Sequence, residues 1–370
     1  METEITGGEF GLIERIKRLI DAGVGDAADV VLGIGDDAAV VLPPPGKLLS
    51  ACDMLVEGVH FKKEFTSPRS LGWKALAVNI SDIAAMGGVP LFALVSIGLP
   101  RWADDAYVES IYEGMLDIAQ LFGVKLIGGD TVSSPEAMVL NVTILGSADS
   151  PVTRGGAVPG DLIAVTGCLG RSAAGLACLK RTQQDKMSLN EERSQTSEDG
   201  GSLQDAESGA NWLDELIYAH LEPVPRVSEG LALSSTGLVN AMMDISDGLA
   251  GDIHHIARES KVGAVIKEEL IPICESTLRA AKMLKYDPLE WALSGGEDFE
   301  LLFTFAPGST DKIRRALSEL GRTMHVIGHI TAETAGVVLV DKDGVAGRIA
   351  DRGFDHFRIV RSQGSESHGD

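Results

Sequence analysis

Apolar positions along the chain alternate between two spacings, and the switches between them predict its elements. Helical spacing covers 9–22. A short apolar run at 30–32 reads as a strand and enters Gly33-Ile34-Gly35-Asp36-Asp37. The pattern then predicts a strand at 48–56 through Asp53, a helix over 69–87 stopped by Gly88, and a strand at 91–99 ended by Pro100. A helix over 103–122 and a strand at 124–127 lead into Gly128-Gly129-Asp130-Thr131, and a strand at 139–145 closes this half. The second half opens on the turn residues Pro159-Gly160-Asp161. A strand at 162–165 and helices over 172–180, 212–221 and 226–236 follow. Asp244-Ile245-Ser246-Asp247-Gly248-Leu249 introduces a helix to about residue 260, and then come a strand at 262–267 and a helix at 275–285. Strands at 301–305, 326–330 and 337–340 complete the pattern.

Two stretches fall outside it. Residues 183–211 are dominated by Gln, Glu, Ser, Asp, Asn and Gly, which predicts a flexible surface insertion with no assigned chemistry. Residues 362–370 form a polar, loose tail. The expected organisation is an N-terminal domain over 1–149 and a C-terminal domain over 150–361. The mixture of helices and strands indicates α/β or α+β architecture, without the clean alternation of a Rossmann fold. Ile80-Ser81-Asp82 echoes Ile245-Ser246-Asp247, by chance or as the trace of a duplicated architecture.

The 370 residues are enough for two domains, and 44% of them are hydrophobic, enough for real cores. The formal net charge of −22 argues against a nucleic-acid partner, which needs a basic surface. Charges and glycines interrupt every apolar run before a membrane span is reached, and the acidic start Met1-Glu2-Thr3-Glu4 lacks signal-peptide order. A cytoplasmic protein is the expectation. Four cysteines, at 52, 168, 178 and 274, are scattered without a close pair and read as buried free thiols.

Candidate chemistry rests on carboxylates at element ends. Asp37, Asp53, Asp82, Asp130, Asp244 and Asp247 recur where strands end or helices begin, several of them beside glycine or serine. Carboxylates that converge repel one another, and magnesium relieves this with oxygen ligands while leaving room for phosphates. The absence of Cys or His ligand spacing favours such a hard cation over zinc. Taken singly, each aspartate reads equally as a solvated turn residue, and Gly-Asp-Asp is common in turns. Asp36 and Asp37 point to opposite faces if extended; Asp37 is the candidate ligand and Asp36 orients the turn. Gly128-Gly129 allows close backbone approach to a nucleotide, and Arg154 is a candidate phosphate clamp or a plain surface arginine. There is no Walker A loop and no nucleophile dyad, and His60 has no evident partner.

Taken together, these stretches resemble the thiamine-monophosphate kinase family, in the aminoimidazole-ribonucleotide-synthetase-like superfamily of ATP-binding enzymes. The resemblance runs in order through Gly8-Glu9-Phe10, Gly33 to Asp37, Asp53 with Gly58-Val59-His60-Phe61, and Lys74 to Gly87. It continues in Leu126 to Thr131, Arg154-Gly155-Gly156-Ala157, Asp244 to Leu249, Trp291-Ala292-Leu293-Ser294-Gly295-Gly296-Glu297-Asp298, and Gly353-Phe354-Asp355-His356-Phe357. It implies ATP-dependent phosphorylation of thiamine monophosphate to thiamine diphosphate. It implies several Mg2+ ions on Asp37, Asp53, Asp82, Asp130, Asp244 and Asp247. Gly129, Asp130, Arg154 and Ser246 would meet ATP, with Tyr112 beside it, while His60, Glu297 and Phe354 would contact the thiamine substrate. The implied fold is two-domain, with N-terminal strands pairing across a homodimer.

One departure stands out. The family places Ser-Thr before the aspartate matching Asp53, and here the pair is Ala51-Cys52. Two alternatives follow: another ATP-dependent synthetase of the superfamily, or a non-catalytic binder of nucleotides or thiamine phosphates. The selenophosphate and hydrogenase-maturation members call for a cysteine near the N-terminus or at the C-terminus, whereas the first cysteine here is Cys52 and the chain ends His368-Gly369-Asp370.

Overall fold

The structure is a computed structural model and describes residues 8–23, 28–195, 210–332 and 336–350. The N-terminal half runs α1 (Gly8–Gly23), β1 (Val30–Leu32), β2 (Val40–Val41), β3 (Lys47–Val56), α2 (Pro68–Ala85), β4 (Val89–Leu99), α3 (Asp105–Phe122), β5 (Lys125–Ser133) and β6 (Val139–Ala148). β1 and β2 form a small antiparallel ribbon. The main sheet has order β3-β6-β4-β5, antiparallel except for the β4–β5 pair. Buried residues alternate along β4 and β6, so one face is covered and the other open.

α2 is the element on which both halves rest. Ser67 caps it by accepting from the Ser70 N–H, and Pro68 starts it. It is buried nearly all round, as expected of a helix with partners on every side. It lies on β3 and β6, against α3, and also against α6 and β8 of the second half. Glycines permit the α2–α3 approach. A Cβ at Gly72 would lie 1.8 Å from the Ile111 carbonyl oxygen, and one at Gly114 equally close to that of Arg69.

The second half comprises β7 (Leu162–Val165), α4 (Arg171–Gln195), α5 (Ala210–Leu221), α6 (Val227–Ser235), β8 (Val239–Asp244), α7 (Leu249–Ser260), β9 (Val262–Lys267), α8 (Glu275–Leu284), α9 (Pro288–Ser294), β10 (Leu301–Phe305), α10 (Thr310–Ser318), β11 (His325–Ala332), β12 (Val337–Val340) and β13 (Ala346–Arg348). Seven strands form one sheet of order β13-β12-β9-β11-β7-β10-β8. β8, its edge strand, meets α2. The architecture is two-part α/β, as expected.

Several expectations shift. The strand expected at 124–127 runs to Ser133, so Gly128 to Thr131 lie inside β5, paired with β4, and not in a turn. Gly129 is needed there, because a Cβ would fall 1.8 Å from the Val95 carbonyl oxygen. α4 continues through Gln195 into the expected insertion, whose Gln, Lys, Glu and Arg residues are good helix formers. Residues 196–209 and the 362–370 tail lie outside the described residues. Helices α9 and α10 had no counterpart in the sequence reading, being only 7 and 9 residues long. The Ile-Ser-Asp echo does not occupy equivalent places: Ser81 and Asp82 sit within α2, whereas Ser246 and Asp247 precede α7. The thiols also differ from expectation, since only Cys178 is buried. Among the described residues, no helix is long and apolar enough to cross a membrane.

Candidate active site

A cluster of carboxylates assembles where α2 meets β8. Asp53 on β3 pairs with Val142, which pairs with Val95, both buried, so Asp53 faces the helix-covered side of the sheet. Its backbone N–H donates to Asn79 Oδ1 at 3.0 Å, and Asn79 Nδ2 donates to the Ala75 carbonyl within α2. Two residues further along α2, Ser81 donates to Asp244 Oδ2 at 2.6 Å, bridging the halves. Asp82 follows immediately. Asp247 lies in the turn after β8, its N–H donating to Asp252 Oδ2 at 3.2 Å.

The electrostatics show that these groups crowd one another. Burial raises the Asp82 pKa to about 8, with Asp244 and then Asp53 adding to it and Arg154 opposing. Burial and then Asp247 raise Asp53. Asp244 is raised chiefly by burial, against the Ser81 hydrogen bond and the Arg154 charge. Asp252 is pushed well up by burial, Asp244 and Asp247. Asp252 is fully buried, and its Oδ1 has no hydrogen-bond partner. Clustered carboxylates, mutual repulsion and an unsatisfied buried carboxylate oxygen fit a divalent cation, with His255 adding a nitrogen donor beside Asp247 and Asp252.

A second group adjoins the first. The Glu297 N–H donates to the Ser246 carbonyl at 2.7 Å, and the Phe299 N–H to that of Ile245, clamping the 297–299 segment to the Asp247 turn. Glu297 and Phe299 have φ of 59° and 48°, strained values for non-glycine residues that cluster at functional sites. Lys74, 1% exposed on α2, lies 2.7 Å from Glu297 Oε1, and His220 Nδ1 lies 3.2 Å from Oε2. Burial raises the Glu297 pKa, but Lys74 and then His220 more than offset it, leaving about 2. His220 is lowered by burial and by Lys74. Ser172 Oγ is 3.0 Å from His220 Nδ1. Asp298 accepts from the Gly170 and Ser172 N–H groups at 2.6 and 3.2 Å, and burial raises its pKa to about 7.

The structure therefore brings together Asp53, Asp82, Asp244, Asp247 and Arg154, with Ser246 joined by its backbone to Glu297. Asp37 and Asp130 are exposed and stand apart. Asp36 Oδ1 accepts from the Asp37 N–H at 2.8 Å, the turn-orienting role expected of it. Asp130 pairs with Ser96 on β5, the opposite sheet edge from β3, roughly 14 Å away at three strand spacings. Tyr112 is 4% exposed in the core on α3, and burial raises its pKa, leaving little of the ring for a nucleotide. His60 ends the β3 turn, its Nδ1 accepting from the Val56 N–H at 3.0 Å. Phe354 lies outside the described residues. The Ala51-Cys52 departure is also narrower than its two missing hydroxyls suggest. Cys52 is exposed and contacts Asn141 and Thr143 on the open face, so only position 51 shares the Asp53 face.

Lys74, Asn79, Ser81, His220, Asp252 and Asp298 were missed as site residues. Four of them had a usable signal. Lys74, Asn79 and Ser81 are polar positions in a helix apolar on all sides, and Asp252 is an acid on the apolar face of α7.

The family model described as AIR synthase related protein, N-terminal domain, matches residues 35–148, and the corresponding C-terminal domain matches 158–341. A thiamine-monophosphate kinase of Escherichia coli O157:H7 is 38% identical over 351 residues, covering 95% of this chain and 98% of the relative. One from Bacillus subtilis (strain 168) is 38% identical over 334 residues, covering 90% and 95%. Among solved structures, the thiamine-monophosphate kinase of Stenotrophomonas maltophilia K279a aligns with a TM-score of 0.74 at 34% identity, over 93% of this chain and 98% of that one. The structure described as AaThiL complexed with AMPPCP and TMP aligns with a TM-score of 0.68 at 33% identity, over 95% and 97%. A hydrogenase maturation protein HypE in complex with ATP shares the fold at 19% identity, TM-score 0.69, over 95% of this chain and 97% of that one. On these identities and coverages, the chain belongs to the thiamine-monophosphate kinase family, built from the two domains of AIR-synthase-related proteins.

Proposed function

We propose that this protein transfers the terminal phosphoryl group of ATP to thiamine monophosphate, giving thiamine diphosphate and ADP. The observation that carries the reading is the crowded carboxylate cluster between α2 and β8, placed directly beside the Lys74–Glu297–His220 group. The acceptor is a phosphate oxygen already anionic at neutral pH, so the chain needs no strong general base. Phosphoryl transfer is mostly positioning and charge stabilisation.

Asp53, Asp82, Asp244 and Asp247, supported by Asp252, would hold Mg2+; Asp37 and Asp130, which lie outside this cluster, would serve a separate ion on the phosphates. Bound magnesium supplies neutralisation of the two phosphate groups. Arg154 relieves the cluster's negative charge and would meet a phosphate. Ser246 and Gly129 would contact the nucleotide. Glu297, held ionised by Lys74, complements the cationic thiazolium of the substrate, with His60 and Phe354 at the same substrate. The chain would act in the cytoplasm as a homodimer through the open face of the β3-β6-β4-β5 sheet, where Leu48 and Met54 are 60% and 51% exposed.

Incubation of the purified protein with ATP, Mg2+ and thiamine monophosphate should yield thiamine diphosphate and ADP in equal amounts. No product would overturn the reading. Tight ligand binding without turnover would point instead to a non-catalytic binder.

A further inference from the structure

Cys168 and Cys274, 106 positions apart in the sequence, meet in the fold. The two thiols are close enough to perturb one another's ionisation. The Leu169 N–H donates to the Pro272 carbonyl at 2.8 Å, fixing one segment against the other. Cys274 stands at the N-cap of α8, its sulfur 3.0 Å from Ser276 Oγ and 3.1 Å from Thr277 Oγ1. Both cysteines are partly exposed and line a cleft of about 250 Å³ with Arg171, Arg226, Arg322 and Glu300. Hydroxyl donors and a helix N-terminus stabilise a thiolate. The pull is on Cys274: the Cys168 hydrogen bond lowers its pKa first, burial opposes, and Ser276 and Thr277 lower it further. Cys168 is thus placed as the resolving thiol.

The loop Gly167-Cys168-Leu169-Gly170 also serves the site described above. Gly170 donates to Asp298, the neighbour of Glu297. The loop has no slack: Leu169 is fully buried, and a Cβ at Gly167 would lie 2.2 Å from Glu300 Oε1. A shift at Cys168 is therefore passed to Asp298.

We propose that Cys168 and Cys274 are a redox-active thiol pair, closed to a reversible disulfide by a peroxide or a small disulfide oxidant, and that closure weakens substrate binding at Glu297 through the Gly170–Asp298 contact. With peroxide, the Cys274 sulfur attacks one oxygen, the O–O bond breaks, and water leaves after protonation. The Cys168 sulfur then attacks the resulting sulfenic acid, the S–O bond breaks, and a second water leaves. The two thiols lose two protons and two electrons, and the peroxide takes them up to become two waters. The coupling to substrate rests on the kinase reading, but the disulfide does not.

The test is peptide mass spectrometry of the full-length protein after hydrogen peroxide treatment under non-reducing conditions. A peptide pair linked through Cys168 and Cys274, released by dithiothreitol and absent from C168S and C274S, is expected. No linked pair, or linkage through Cys52 or Cys178 alone, overturns the thiol pair, whatever the enzyme does. Oxidised wild type should show a several-fold higher KM for thiamine monophosphate, reversed by dithiothreitol and absent in C274S. Linkage with an unchanged KM overturns the coupling. No turnover in the reduced protein would count against the kinase reading and leave the mass readout standing.

Discussion

Lys74 is a buried side chain on α2, and Glu297 is its ion-pair partner. Breaking a buried ion pair costs about 3–5 kcal/mol. Glu297 retains His220 and has a partly open face, so Lys74→Met should cost nearer to about 2 kcal/mol, read from urea unfolding. Without Lys74, burial is no longer offset as fully, and the Glu297 pKa climbs from about 2. The variant should therefore lose activity on acidification at a higher pH than wild type, visible in a pH–rate profile; coincident profiles would refute the role of the pair. Asp82→Asn makes the complementary case. It removes a crowded carboxylate that the fold must either protonate or bury as a charge, so the metal-free variant should melt above wild type. Its Mg2+ affinity should fall by at least about 10–100-fold, the loss seen for groups that merely support a metal ligand, as measured by calorimetry.

At the scale of elements, the close approach of α2 and α3 makes the sharpest forecast. Gly72→Ala would gain about 1 kcal/mol of helix propensity but places a methyl 1.8 Å from the Ile111 carbonyl oxygen. Overpacking of this kind costs about 1–3 kcal/mol or more, so the melting temperature should drop by several degrees in calorimetry. An unchanged melting temperature would mean that the helices separate freely. Long elements were legible in the sequence: α3 because many positions repeat one spacing, and α2 because its apolar run is too long for a strand. The path of β5 through Gly128-Gly129 was not, since glycines signal a turn locally and only the pairing with β4 shows why they are there. The extension of α4 was hidden because its Gln-, Glu- and Ser-rich sequence carries no apolar stripe. The short α9 and α10 offer too few turns for periodicity to register.

For the whole molecule, the aspartates could be named from sequence but their convergence could not, because it depends on contacts such as Ser81 to Asp244, 163 positions apart. Convergence also sets the pH dependence of stability. Asp82, raised to about 8, and Asp298, raised to about 7, bind protons in the folded state that the unfolded chain has lost above about 4. Stability from such groups is present at low pH and declines as pH rises through the folded values. His220, with its pKa lowered by burial, acts in the opposite sense, but only below its ordinary value of 6.5. Between about pH 6.5 and 8 the carboxylate contribution from Asp82 is therefore separable by comparing variants. Metal-free wild type should lose melting temperature across that interval more steeply than Asp82→Asn. Added Mg2+ should flatten the wild-type curve, because a cation relieves the same repulsion that protons relieve, and its stabilisation should be larger at pH 8 than at pH 6.5. Parallel curves for wild type and variant, or equal stabilisation by Mg2+ at both pH values, would show that the interdomain carboxylates do not share one cation-relieved field.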